Sequence, residues 1–160
     1  MDAFDADVLI YAAIPGHPLG SRVAALFPAK APGKSPRRDG VGSVLLLPEV
    51  MSKPLRDGDA TAVRALGRLL TKLDLRPVDR AIAELATVLA ARYGLRAADA
   101  THLATAVSLG AERFITNNRR DFPESIKEID VTYPEMLPRR LAEVPAGAGG
   151  SVGYLDVEAV

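Results

Sequence analysis

Hydrophobic positions in this chain fall into short apolar runs separated by stretches with helical spacing. Ala3-Phe4 is an apolar stub readable as a strand. Asp5-Ala6-Asp7 then leads into the run Val8 to Ile14, which Pro15-Gly16 punctuates. From Ser21, the positions Val23, Leu26 and Phe27 have helical spacing. Residues 29 to 40 turn to Lys, Pro, Gly and Arg and read as an exposed loop. Val41 to Leu47 is apolar and runs into Pro48-Glu49, where a proline suits a helix's first turn or a break.

Asp59 is placed to cap a helix carrying Val63, Leu66, Leu70 and Leu73 on one face, and Leu73-Asp74-Leu75 is a strand candidate. The clearest helix follows Asp79. It carries Ile82, Leu85, Ala86, Leu89 and Tyr93 on one face, with Gly94 as a left-handed terminator. A further helix spans about Asp99 to Leu109 and stops at Gly110, with Ala100, Leu103, Ala104 and Val107 inward. Arg113 to Thr116 and Ile129 to Val131 read as buried strands. Short strands alternating with helices imply a mainly parallel sheet covered on both faces, a three-layer α/β/α sandwich. In such sheets the functional crevice lies beyond the carboxyl ends of the strands.

Composition narrows this picture. With 160 residues, 48% of them hydrophobic, the chain supports one core. The expected organisation is one domain over 1–137 and a flexible tail over 138–160, hinged at Ala146 to Gly150. Twenty basic and twenty acidic side chains cancel, so any contact with a polyanion has to be local. The absence of cysteine excludes disulfides, zinc–thiolate sites and thiol nucleophiles. No apolar run approaches a membrane span, and the start lacks signal-peptide character, so a cytoplasmic protein with no membrane partner is expected.

Acids placed where strands deliver helices to the crevice are the candidate chemistry. Asp5 and Asp7 follow the first strand, and each also suits a helix cap. Glu49 lies in the apolar stretch Leu45 to Met51. There it is either paired or metal-bound, or it simply faces water. Asp99 likewise suits the N-cap or the first turn of its helix. None of these acids is diagnostic alone. Jointly they suit a hard cation such as Mg²⁺ or Mn²⁺ and phosphoryl chemistry.

Three segments carry a family resemblance. They are Phe4-Asp5-Ala6-Asp7-Val8-Leu9-Ile10-Tyr11, Leu95-Arg96-Ala97-Ala98-Asp99-Ala100-Thr101-His102-Leu103-Ala104-Thr105-Ala106 and Ile115-Thr116-Asn117-Asn118-Arg119-Arg120-Asp121-Phe122. In order and spacing they resemble the signature blocks of PIN domains, over about residues 1 to 135, and the middle block is the most specific. The resemblance implies a five-stranded parallel sheet and divalent-metal-dependent cleavage of RNA. Such domains are commonly the toxin half of VapBC-type toxin–antitoxin pairs, so an antitoxin partner and a homodimer are also implied.

Position by position, the resemblance assigns metal binding to Asp5, Glu49 and Asp99. The family's fourth acid is replaced by Asn118, with Asp121 nearby as a possible source of the missing charge. Asp7 becomes an outer carboxylate, and Thr116 a hydroxyl suited to a water or a substrate phosphate. His102 reads as a packed, hydrogen-bonded core histidine rather than a general base. Lys30, Lys34, Arg37 and Arg38 form a basic loop that either grips RNA phosphates near the crevice or is merely solvated. Two other functions stay open. One is a catalytically weak PIN-like module that binds RNA or protein. The other is a haloacid-dehalogenase-type phosphatase with Asp5 as nucleophile, although Val8-Leu9 departs from that motif.

Overall fold

A computed structural model describes residues 1–28 and 38–138. Five strands make one sheet: β1 (Asp2–Phe4), β2 (Gly40–Ser43), β3 (Leu73–Arg76), β4 (Arg113–Ile115) and β5 (Asp130–Thr132). Six α-helices join them: α1 (Ala6–Ala13), α2 (Pro18–Ala24), α3 (Leu46–Arg56), α4 (Ala60–Leu70), α5 (Arg80–Tyr93) and α6 (Ala97–Ser108). A 3₁₀ turn over Pro134–Met136 follows β5. Every strand pairing is parallel and the spatial order is β3-β2-β1-β4-β5.

Period-two alternation divides the core between the two faces of the sheet. Ala3, Val41, Phe114 and Val131 pack with Ile82, Ala86 and Leu89 of α5 and Leu103 and Ala104 of α6. Their neighbours Phe4 and Ile115 turn the other way, to Val8, Leu9, Leu46, Val50, Leu66 and Leu70 of α1, α3 and α4. Helices therefore cover both faces, as the apolar runs predict.

Local chemistry sets the helix ends. The Asp59 side chain accepts from the N–H groups of Thr61 and Ala62, and that of Asp79 accepts from Ile82. Gly94 closes α5 at φ 68°, a left-handed conformation in which a side chain is strained. Two helices start earlier than the apolar spacing suggests. Pro18 occupies the first turn of α2 behind a cap in which His17 Nδ1 accepts from Gly20 N–H at 3.0 Å. The start of α6 at Ala97 puts Asp99 in its first turn rather than at its cap. The tail expected beyond residue 138 lies outside the described residues.

The chain steps from β1 outward to β2 and β3, then resumes on the other side of β1 with β4 and β5. The carboxyl ends of β1 and β4 are therefore adjacent at the point where strand order reverses, which is where such sheets open a crevice.

Candidate active site

Asp5 directly follows β1. Its N–H donates to the Ile115 carbonyl at 2.9 Å, which locks the ends of β1 and β4 together. Its Oδ1 accepts from Ala6 N–H at 2.8 Å and so caps α1, while Oδ2 accepts the Thr116 hydroxyl at 2.7 Å. Asp5 is thus both a cap and a crevice acid; the two readings were not exclusive. Burial raises its pKa, and the bonds from Thr116 and Ala6 act against that rise. Asp7, one residue into α1's first turn, accepts from Asn117 N–H at 3.2 Å. Burial first, and the Asp5 charge second, push its pKa up to about 7.

Glu49 lies in the first turn of α3, which starts just beyond β2. Its Oε2 is 2.7 Å from Nε2 of His102 on α6. His102 is buried at 3% exposure, as expected of a core histidine, but its hydrogen bond is to a candidate ligand rather than to the scaffold. Asp99, one turn earlier on α6, has a raised pKa. Burial is the largest cause, followed by repulsion from Asp5, Asp121 and Glu49. These acids come from four separate segments of the chain.

The loop after β4 supplies the remainder. Asn118 N–H donates to Thr116 Oγ1 at 3.0 Å. The Asn118 amide clasps Asp121 from both sides: Nδ2 donates to Asp121 Oδ2 at 2.8 Å, and Oδ1 accepts Asp121 N–H at 3.2 Å. Asn118 is thus occupied in holding Asp121, whose charge faces Asp99. Thr116, expected to serve a water or a phosphate, donates its hydroxyl proton to Asp5. Arg119 braces this loop, its guanidinium 3.8 Å from the Tyr133 ring centre and paired with Glu135.

The basic cluster divides differently from expectation. Lys30, Lys34 and Arg37 lie outside the described residues. Arg38 precedes β2 and donates to the Thr71 carbonyl just ahead of β3, at the amino end of the sheet and opposite the acids. Beside the acids stands Arg120, whose side chain is 90% exposed with Nε 4.0 Å from Asp121. Sequence reasoning passed over Arg120 although it adjoins Asp121 within the third motif block. It also missed Asn117, whose backbone N–H holds Asp7.

Among the described residues, no three His, Asp or Glu side chains already stand in an arrangement that ligates one ion. The fit is one of donor chemistry: crowded carboxylates on hard oxygen atoms, mutually repelled and partly buried, are what a divalent cation neutralises. Among the described residues no helix is long and apolar enough to cross a membrane.

Comparisons with known proteins agree with this fold. No curated protein matches the chain significantly. A chain in a solved structure described as a toxin-antitoxin complex from Klebsiella pneumoniae superimposes with a TM-score of 0.63. It is 24% identical, and the alignment covers 84% of this chain and 98% of that one. The family model described as PIN domain matches residues 3–127. With that match over most of its length, on a parallel sheet whose switch point gathers the acids, the chain belongs to the PIN-domain family.

Proposed function

We propose that this protein is a divalent-metal-dependent endoribonuclease and the toxin of a toxin–antitoxin pair. The observation that carries the reading is the convergence of Asp5, Glu49, Asp99 and Asp121 at the crevice between β1 and β4, in a family whose members are generally nucleases. Asp5, Glu49 and Asp99 are the residues that would hold Mg²⁺ or Mn²⁺. Asp121, set by the Asn118 clasp, adds the fourth carboxylate. When bound, such an ion offsets the charge of a phosphodiester and lowers the pKa of a water, so no covalent intermediate is needed.

The protein's own groups orient the reaction. Asp5 is fixed by three hydrogen bonds, through its N–H to Ile115 and through its carboxylate from Ala6 and Thr116, so it does not have to reorganise on binding. Asp7, with a pKa of about 7, is suited to exchange a proton near neutral pH. Arg120 is free of the crevice floor and suited to an RNA phosphate. The antitoxin reading draws on the structural neighbour's description and on the groove lined by Pro54, Leu55 and Val63 of α3 and α4, in which Leu55 is 61% exposed. Homodimerisation and cytoplasmic residence belong to the same reading.

A structured RNA incubated with Mn²⁺ is expected to be cleaved by the wild type. Cleavage should fall at least a hundredfold in Asp5→Asn or Asp99→Asn and stop with EDTA, while DNA of the same sequence should survive. Cleavage indifferent to EDTA and to both substitutions would sink the nuclease reading. RNA binding without cleavage would favour a binding module instead. Membership of the PIN family argues against the phosphatase alternative.

A further inference from the structure

His102 is almost fully buried, yet only one side of its ring is satisfied. Nε2 lies 2.7 Å from Glu49 Oε2, whereas Nδ1 is buried with no hydrogen-bond partner. A purely structural histidine in a protein core normally satisfies both nitrogens, and an orphaned buried polar atom calls for an explanation. With Glu49 ionised, Nε2 is the nitrogen that must carry the proton, because the carboxylate can only accept. The bond is therefore charge-assisted, and bonds of that kind are shorter and stronger than neutral ones.

Its placement adds the second element. His102 is three residues after Asp99, so the two lie on the same side of α6. Helix α6 thereby carries one candidate ligand itself and grips another that belongs to α3. Glu49 is a long side chain, about a third exposed, and without a tether it would sample many rotamers. Its second oxygen, Oε1, takes part in no hydrogen bond among the described residues.

We propose that His102 is a positioning residue of the acidic centre: its Nε2–H holds Glu49 Oε2 so that Oε1 is directed to a divalent cation shared with Asp99. The inference rests on the metal-dependent reading above and deepens it. A hydrogen-bonded partner behind a ligand typically governs affinity by about ten- to a hundredfold, which sets the expected effect.

The test is Mn²⁺ affinity of the full chain, read from the electron-spin-resonance signal of free Mn²⁺, with thermal unfolding recorded for each variant. His102→Leu is expected to weaken binding about tenfold or more. His102→Gln, whose amide can still donate to Glu49, should recover most of that loss. In a Glu49→Ala background, His102→Leu should change the affinity no further, since nothing is left to position. An unchanged Kd with a lowered melting temperature would make His102 a packing residue and overturn the proposal. So would an equal loss of affinity with and without Glu49, or a failure of His102→Gln to recover binding while it melts like the wild type. If the wild type itself binds no Mn²⁺, the metal-dependent reading falls and takes this one with it, an outcome distinct from the others.

Discussion

Asp7 shows how far a single carboxylate can be moved by its surroundings. Burial and the neighbouring Asp5 charge push its pKa up to about 7 in the folded protein, against the ordinary 3.8 of an aspartate in water. The folded state thus retains a proton that the unfolded chain has already released. This group's contribution to stability is greatest below the unfolded value, declines as pH rises, and is lost once pH passes about 7. Asp7→Asn removes the dependence while keeping an oxygen for Asn117 N–H. Its melting temperature should therefore exceed that of the wild type at pH 8 by several degrees, with the gap closing towards pH 4. Parallel melting curves across that range would show that Asp7 is not the responsible group. Asp5 and Asp7 follow the first strand, as the sequence reads, but the sequence could not show which hydroxyl meets Asp5. The Thr116 contact spans 111 residues of chain. The clasp between Asn118 and Asp121 is local, three residues apart, yet side-chain rotamers decide it and residue type alone leaves it open.

At the scale of elements, helix ends and faces were the most legible features, because caps and apolar spacing are properties of a few consecutive residues. Asp59, Asp79 and Gly94 act where the pattern placed them. The start of α2 escaped notice because its cap is a histidine, an uncommon choice supported by the stacking of His17 on Tyr11 with ring centres 4.4 Å apart. The crossing of α1 and α2 is close enough that a Cβ on Gly20 would stand 1.9 Å from the Tyr11 carbonyl oxygen. That neighbour is backbone and cannot turn aside. Gly20→Ala is expected to cost about 3 kcal/mol, at the upper end for overpacking, and to lower the urea midpoint accordingly. A variant as stable as the wild type would mean that the helices separate without penalty. Because Asp7 and Tyr11 share α1, the same substitution should also disturb the crevice wall.

At the scale of the whole molecule, the candidate ligands are residues 5, 49, 99 and 121, far apart in the chain, so a shared ion needs the fold. An ion bound there stabilises the native state alone. Mn²⁺ at a hundred times its Kd should add about 2.7 kcal/mol. For a domain of this size that is a rise of about 5 to 10 °C in melting temperature. Asp5→Asn combined with Asp99→Asn should abolish the rise without greatly lowering the metal-free midpoint, since it removes mutually repelling charges. A scan with Mn²⁺ or EDTA reads both quantities, and an equal rise in the double variant would place the ion elsewhere.

Periodicity and motif blocks read along the chain were enough for the helices capped at Asp59 and Asp79, the two-sided burial of the sheet and the choice of candidate acids. Tertiary structure alone decided the strand order that makes β1 and β4 neighbours, and with it the joining of Asp5 to Thr116. It moved Arg38 to the end of the sheet opposite the acids and left Arg120 beside them. It also gave the buried His102 its hydrogen-bond partner, Glu49. The physical reason is common to all of these. A residue's direction within its own helix or strand is fixed by local geometry, whereas its partner across the fold is fixed by which elements pack together to bury their apolar faces.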